Sequence, residues 1–69
     1  MDRQKYRVTW ICKCSTDYAE GYGPSIAVAR TSVRKFWRKG GHRIKDLAEE
    51  IVERVSTDGS HYELHERGQ

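Results

Sequence analysis

Cations and aromatics crowd one stretch of this chain. From Gly21 to Lys45 there is no acidic residue. Arg30, Arg34, Lys35, Arg38, Lys39, Arg43 and Lys45 nevertheless supply seven of the thirteen Lys and Arg residues there, with His42, Phe36 and Trp37 among them. Guanidinium groups offer planar forks to phosphate or carboxylate, and ammonium groups add compact charge. A block of this kind grips a nucleic-acid backbone, DNA or RNA, or an acidic protein surface. Arg30, Arg34, Lys35, Arg38, Lys39, His42, Arg43 and Lys45 are therefore the candidate binding residues. The plainer account is a solvated helix face, and the lack of neutralising acids speaks against it.

Cys12-x-Cys14 and His61-x-x-x-His65 carry the ligand atoms of a zinc site. Zinc cysteines are usually separated by two to four residues rather than one, however, and the cysteines fall on the core face of their strand while the histidines fall on a solvent face. Two buried thiols acting as small apolar side chains fit better, slow to react and free of metal. No metal and no cofactor is expected. A disulfide between residues two apart closes too small a ring to be relaxed. Two cysteines do not make a secretory framework, which points to a reducing, cytoplasmic compartment. No glycine-flanked nucleophile, phosphate loop or paired carboxylates can be read, so a non-catalytic protein is expected.

Sixty-nine residues make a single small domain over 1–69, with 1–5 and 67–69 expected to be mobile. No signal peptide or apolar span is legible, and no membrane partner is expected. The net charge of +3 and pI near 9.1 are mild, but the segregation is strong. Asp46, Glu49, Glu50 and Glu53 follow the basic block. The surface should be dipolar, which suits oriented docking.

These residues need elements to hold them. Tyr6, Val8, Trp10, Cys12 and Cys14 alternate with Arg7, Thr9 and Lys13, which predicts a half-buried strand over 6–14. Ser15, Asp17, Gly21, Gly23 and Pro24 mark 15–24 as a loop. Ile26, Ala29, Val33, Phe36 and Trp37 form a helical stripe over 25–39 that assigns both aromatics to the core. Ser25 is a suitable N-cap, and Gly40-Gly41 gives a left-handed exit. A rival alternation makes Ser25 to Arg30 a strand, with Thr31 capping a shorter helix. Ile44, Leu47, Ala48, Ile51, Val52 and Val55 give a second helical stripe, with Asp46 and Glu49 resembling a capping box and Glu50 and Arg54 paired four apart. Its rival is a strand over 50–55 returning through Thr57-Asp58-Gly59-Ser60, since Asp-Gly is a strong hairpin signal. A short strand over 61–66 follows, with Tyr62 and Leu64 on one face. The fold class is α+β, a small two-layer sandwich with an antiparallel-type sheet under one or two helices. The order is β-α-α-β with the end strands paired, or alternatively β-β-α-β-β.

In the first of these orders, Gly40-Gly41-His42-Arg43 joins two helices inside a strand-helix-helix-strand unit. That resembles the layout of KH domains, whose G-x-x-G loop clamps single-stranded nucleic acid. Arg43 stands where the second glycine would be, and no third strand is evident. The residues point to a small binding protein that contacts nucleic-acid backbone through a basic helix. The alternative is a compact modulator or inhibitor of a larger host nucleic-acid-handling enzyme, in the manner of phage and mobile-element accessory proteins. Either is compatible with a homodimer.

Overall fold

The computed structural model describes residues 5–14 and 16–68. Four strands and one helix follow the order ββαββ: β1 (Tyr6–Cys12), β2 (Tyr18–Gly23), α1 (Ile26–Lys39), a 3-10 turn at Ile44–Asp46, β3 (Leu47–Val55) and β4 (Tyr62–Gly68). The strands form one antiparallel sheet in the order β2-β1-β3-β4, with α1 on one face. The α+β sandwich therefore takes the second of the two expected orders. None of the described helices is long and apolar enough to cross a membrane.

The expected second helix is strand β3. Its alternation is hard to see because it is an inner strand with apolar residues on both faces. Val52 opposes Val8 under the helix, while Ile51 opposes Thr9 on the open face. Glu50 opposes Trp10 on the helix side, a polar residue at a core-facing position. Among the described residues no second α-helix follows Asp46; its carboxylate accepts the Arg43 backbone N–H at 3.1 Å and closes the 3-10 turn. Nor does Glu50 pair with Arg54, because in a strand the four-residue spacing no longer brings them together. β3 also separates β1 from β4, so the end strands are not partners.

The expected loop over 15–24 contains strand β2. Its helix-facing residues, Ala19, Gly21 and Gly23, are too small to read as a strand face. Their smallness has a steric cause. A Cβ on Gly21 would lie 2.3 Å from the Val33 backbone nitrogen and 2.5 Å from the Ala29 carbonyl oxygen. The helix backbone thus rests directly on the edge strand.

Helix α1 runs as its stripe predicts. Ser25 accepts the Val28 N–H at 3.3 Å, and Gly41 turns the chain out with φ +85°. Val8, Trp10, Cys12, Ala29, Val33, Trp37 and Val52 form the core. Trp10 and Trp37 meet edge to face with centroids 5.7 Å apart, a favoured geometry for aromatic pairs.

Several local expectations change. Phe36 is 54% exposed and not in the core. It lies 100° round the helix from Trp37, and the sheet is too small to cover both. β1 ends at Cys12, so Cys14 sits exposed in the following turn and only Cys12 is buried. Lys5 is tied down: its N–H donates to the Gly23 carbonyl at 2.9 Å and its carbonyl accepts from Val55 at 2.8 Å. Arg67 and Gly68 belong to β4. Residues 1–4 and Gln69 lie outside the described residues. The Asp-Gly turn joins β3 to β4 with Gly59 at φ +74°. Hydrogen bonds from the Ser56 hydroxyl and then Ser60 hold the Asp58 carboxyl down at about 2.

Candidate functional site

Helix α1 divides the candidate cations by the side of the helix they occupy. Arg34 and Arg38 lie one turn apart on the flank toward β3 and β4. Lys35 and Lys39 lie one turn apart on the outer side toward β2. All four are exposed. Arg43 and Lys45 are exposed in the turn that follows. Among the described residues, none of these six makes an ion pair. The helix holds no acid, and Arg38 and Lys39 complement the negative end of its dipole.

Arg30 and His42 are placed differently. The Arg30 fork closes on Glu50, with Nε and Nη2 each 3.0 Å from one carboxylate oxygen, and Nη2 lies 3.7 Å from Glu66. Glu50 also accepts the Trp10 indole N–H at 2.9 Å. Burial by itself pushes the Glu50 carboxyl up, but Arg30 and Trp10 outweigh it and hold it below the ordinary range. Arg30 thus fastens helix to sheet. His42 stacks on Trp37 with ring centroids 4.5 Å apart, and its Nε2 lies 3.6 Å from Asp17. It closes the end of the core.

The loop after the helix is anchored as well. The Trp37 indole N–H donates to the Arg43 carbonyl at 2.9 Å, and the His42 N–H donates to the Trp37 carbonyl at 3.2 Å. A core side chain therefore sets where the Arg43 and Lys45 backbone runs. Because strand β3 follows this loop, Gly40-Gly41-His42-Arg43 does not join two helices, and the KH layout does not hold.

The acidic run is largely neutralised on the open sheet face. Arg7 Nε lies 2.8 Å from Glu53, and Arg67 pairs with Glu49. The Arg7 guanidinium also sits 4.6 Å from the Tyr62 ring centre, in cation–π range. Charge separation survives mainly as the unpaired cations of the helix.

The zinc constellation is not assembled. Cys12 opposes Leu47 at one end of the sheet, whereas His65 packs against Tyr6 near the other end, their ring centroids 6.0 Å apart. Among the described residues no group of three or more His, Cys, Asp or Glu side chains could hold a metal.

Two aromatic residues outside the cationic set are exposed: Tyr18, which the sequence leaves open as either a core cover or a contact residue, and Phe36, for which it allows base stacking but favours the core. Tyr18 is 67% exposed, and with Phe36 it lines a shallow groove along the β2 edge, together with Ala19, Glu20 and Tyr22. Phe36 sits at the rim of the helical stripe, and that was the available signal. No protein-family model matches the chain, and no match was found among curated proteins or solved structures.

Proposed function

We propose that this chain is a small non-catalytic binding module whose basic helix contacts nucleic-acid phosphates. The observation that carries the reading is the exposed set Arg34, Lys35, Arg38 and Lys39, without an acidic neighbour on the helix and continued by Arg43 and Lys45. Folding pairs Arg7, Arg30 and Arg67 with carboxylates, whereas among the described residues this set makes no ion pair. Phosphate contacts position a protein without reading bases, so binding through this set alone is weakly sequence-specific. Action in the cytoplasm is part of the same proposal.

The rival is a modulator docking on an acidic surface of a larger nucleic-acid-handling protein. Fluorescence anisotropy with labelled DNA and RNA, titrated over salt, tests the choice. Binding should weaken as salt rises, with each phosphate contact contributing about 0.7 to 0.9 to the log–log slope. Changing Arg34, Arg38 and Lys39 together to Glu should abolish it while the circular dichroism spectrum stays native. Wild-type protein with no affinity for DNA or RNA at about 50 mM salt would sink the reading, since counterion release is strongest at low salt.

A further inference from the structure

Resting on that reading, we infer that the preferred ligand is single-stranded, with its bases stacked on Phe36 and Tyr18 in the groove at the β2 edge and its phosphates on Lys35 and Lys39. Single exposed apolar residues are ordinary on protein surfaces. Here two exposed aromatic rings line one groove, which makes them more than scattered side chains. Lys35 lines a second shallow groove with Val28, Ser32 and Tyr22. Tyr22 lines both, so the two grooves are neighbours on the edge strand.

The chemistry of that path is specific. Every base has a π-face, so aromatic stacking tolerates any sequence, and single-strand grooves combine such rings with cations that follow the backbone. In a duplex the base faces are already stacked, and rings lying beside the helix cannot reach them. Lys35 and Lys39 flank Phe36 on the outer side of the helix, where a strand would present its phosphates. Glu20 is the acid of the groove, and the Tyr22 hydroxyl lies 3.3 Å from it. A carboxylate there keeps phosphates toward the lysines and can accept from base amino groups.

The test compares three labelled ligands with the full chain: a thymidine strand of roughly 12 nucleotides, within the usual range for one small site, an abasic strand of equal length, and a duplex. The thymidine strand should bind tightest. Phe36→Ala and Tyr18→Ala should each weaken it by roughly tenfold and leave duplex and abasic affinities unchanged. Phe36→Trp should retain binding, and Phe36→Leu should fail as Phe36→Ala does, because stacking needs a ring and not merely apolar volume. Equal affinity for thymidine and abasic strands, or unchanged binding by Phe36→Ala while the triple Glu variant loses it, would overturn the stacking and leave phosphate binding standing. A homodimer of the free protein that Phe36→Ala dissociates would also overturn it, by giving the groove a different occupant. No binding to any of the three would remove the underlying reading as well.

Discussion

Arg30 and Glu50 join the helix to the sheet through a two-pronged contact, each nitrogen 3.0 Å from its oxygen, with the Trp10 indole on the same carboxylate. The helix that presents the cations is held in orientation by a cation of its own. Removing Arg30 leaves a half-buried carboxylate with one partner fewer.

Arg30→Met should therefore destabilise the fold by about 1 kcal/mol, the low end for a broken charged hydrogen bond, because Arg30 is partly exposed and solvent screens the loss. The pH dependence carries the signature. The folded Glu50 carboxyl lies below its unfolded value, so the stability it contributes is present above the unfolded carboxylate range near 4.3 and is lost as pH falls through the folded value. Urea melts across acidic pH should show this decline in the wild type and a smaller one in Arg30→Met. Identical pH profiles would mean that the contact does not form in solution.

Gly21→Ala addresses the seat of the helix. The added methyl would meet backbone atoms of Ala29 and Val33, which cannot swing aside as a side chain can. The helix must lift or tilt, and a loss at or above the upper end of the usual 1–3 kcal/mol for overpacking is expected in thermal melts. Stability within about 0.5 kcal/mol of wild type, the range of neutral surface changes, would show that helix and strand are further apart.

The same close seat explains which parts of the fold were legible. Helix α1, its Ser25 cap, its glycine exit and strand β1 follow from periodicity alone. Strand β2 is hidden because its core-facing side is Ala19, Gly21 and Gly23, the composition of a loop. Strand β3 is hidden because Glu50 occupies a core-facing position, a choice that makes sense only once Arg30 and Trp10 stand opposite. The cationic set could be listed from sequence. Its division into Arg30 and His42, which hold the fold, and the cations left unpaired depends on partners far along the chain. Phe36 was misjudged because a helical stripe does not say how wide a sheet lies beneath it.

Cys14 should be the reactive thiol of the chain. It is exposed, and its thiol is pulled down to about 7, first by the hydrogen-bonding Cys12 thiol and then by the Thr16 hydroxyl at 3.4 Å. The same contact is the largest cause that pushes Cys12 up, so the pair shares its proton unequally. The thiolate is the nucleophile, so iodoacetamide should label Cys14 first, with a rate half-maximal near pH 7. Cys12→Ala should move that midpoint toward the ordinary thiol value of about 8.5. Cys12 itself, buried in the core, should label only on unfolding. Equal labelling of both thiols in the native protein would contradict the placement.

Phe36 and Trp37 are neighbours in sequence and should behave as opposites. Trp37 is fully buried, packs on Trp10 and His42, and spends its indole N–H on the Arg43 carbonyl. Trp37→Ala removes the largest side chain of the core and releases the basic loop, and should cost about 3–5 kcal/mol. A domain this small has little stability to spare, so most of the variant should be unfolded at room temperature. Phe36→Ala removes a ring more than half of which already faces water, and the melting midpoint should move by no more than a few degrees. Paired circular dichroism melts of the two variants decide the matter. A large loss for Phe36→Ala would place that ring in the core, and a small loss for Trp37→Ala would mean that the packing around Trp10 is not as described.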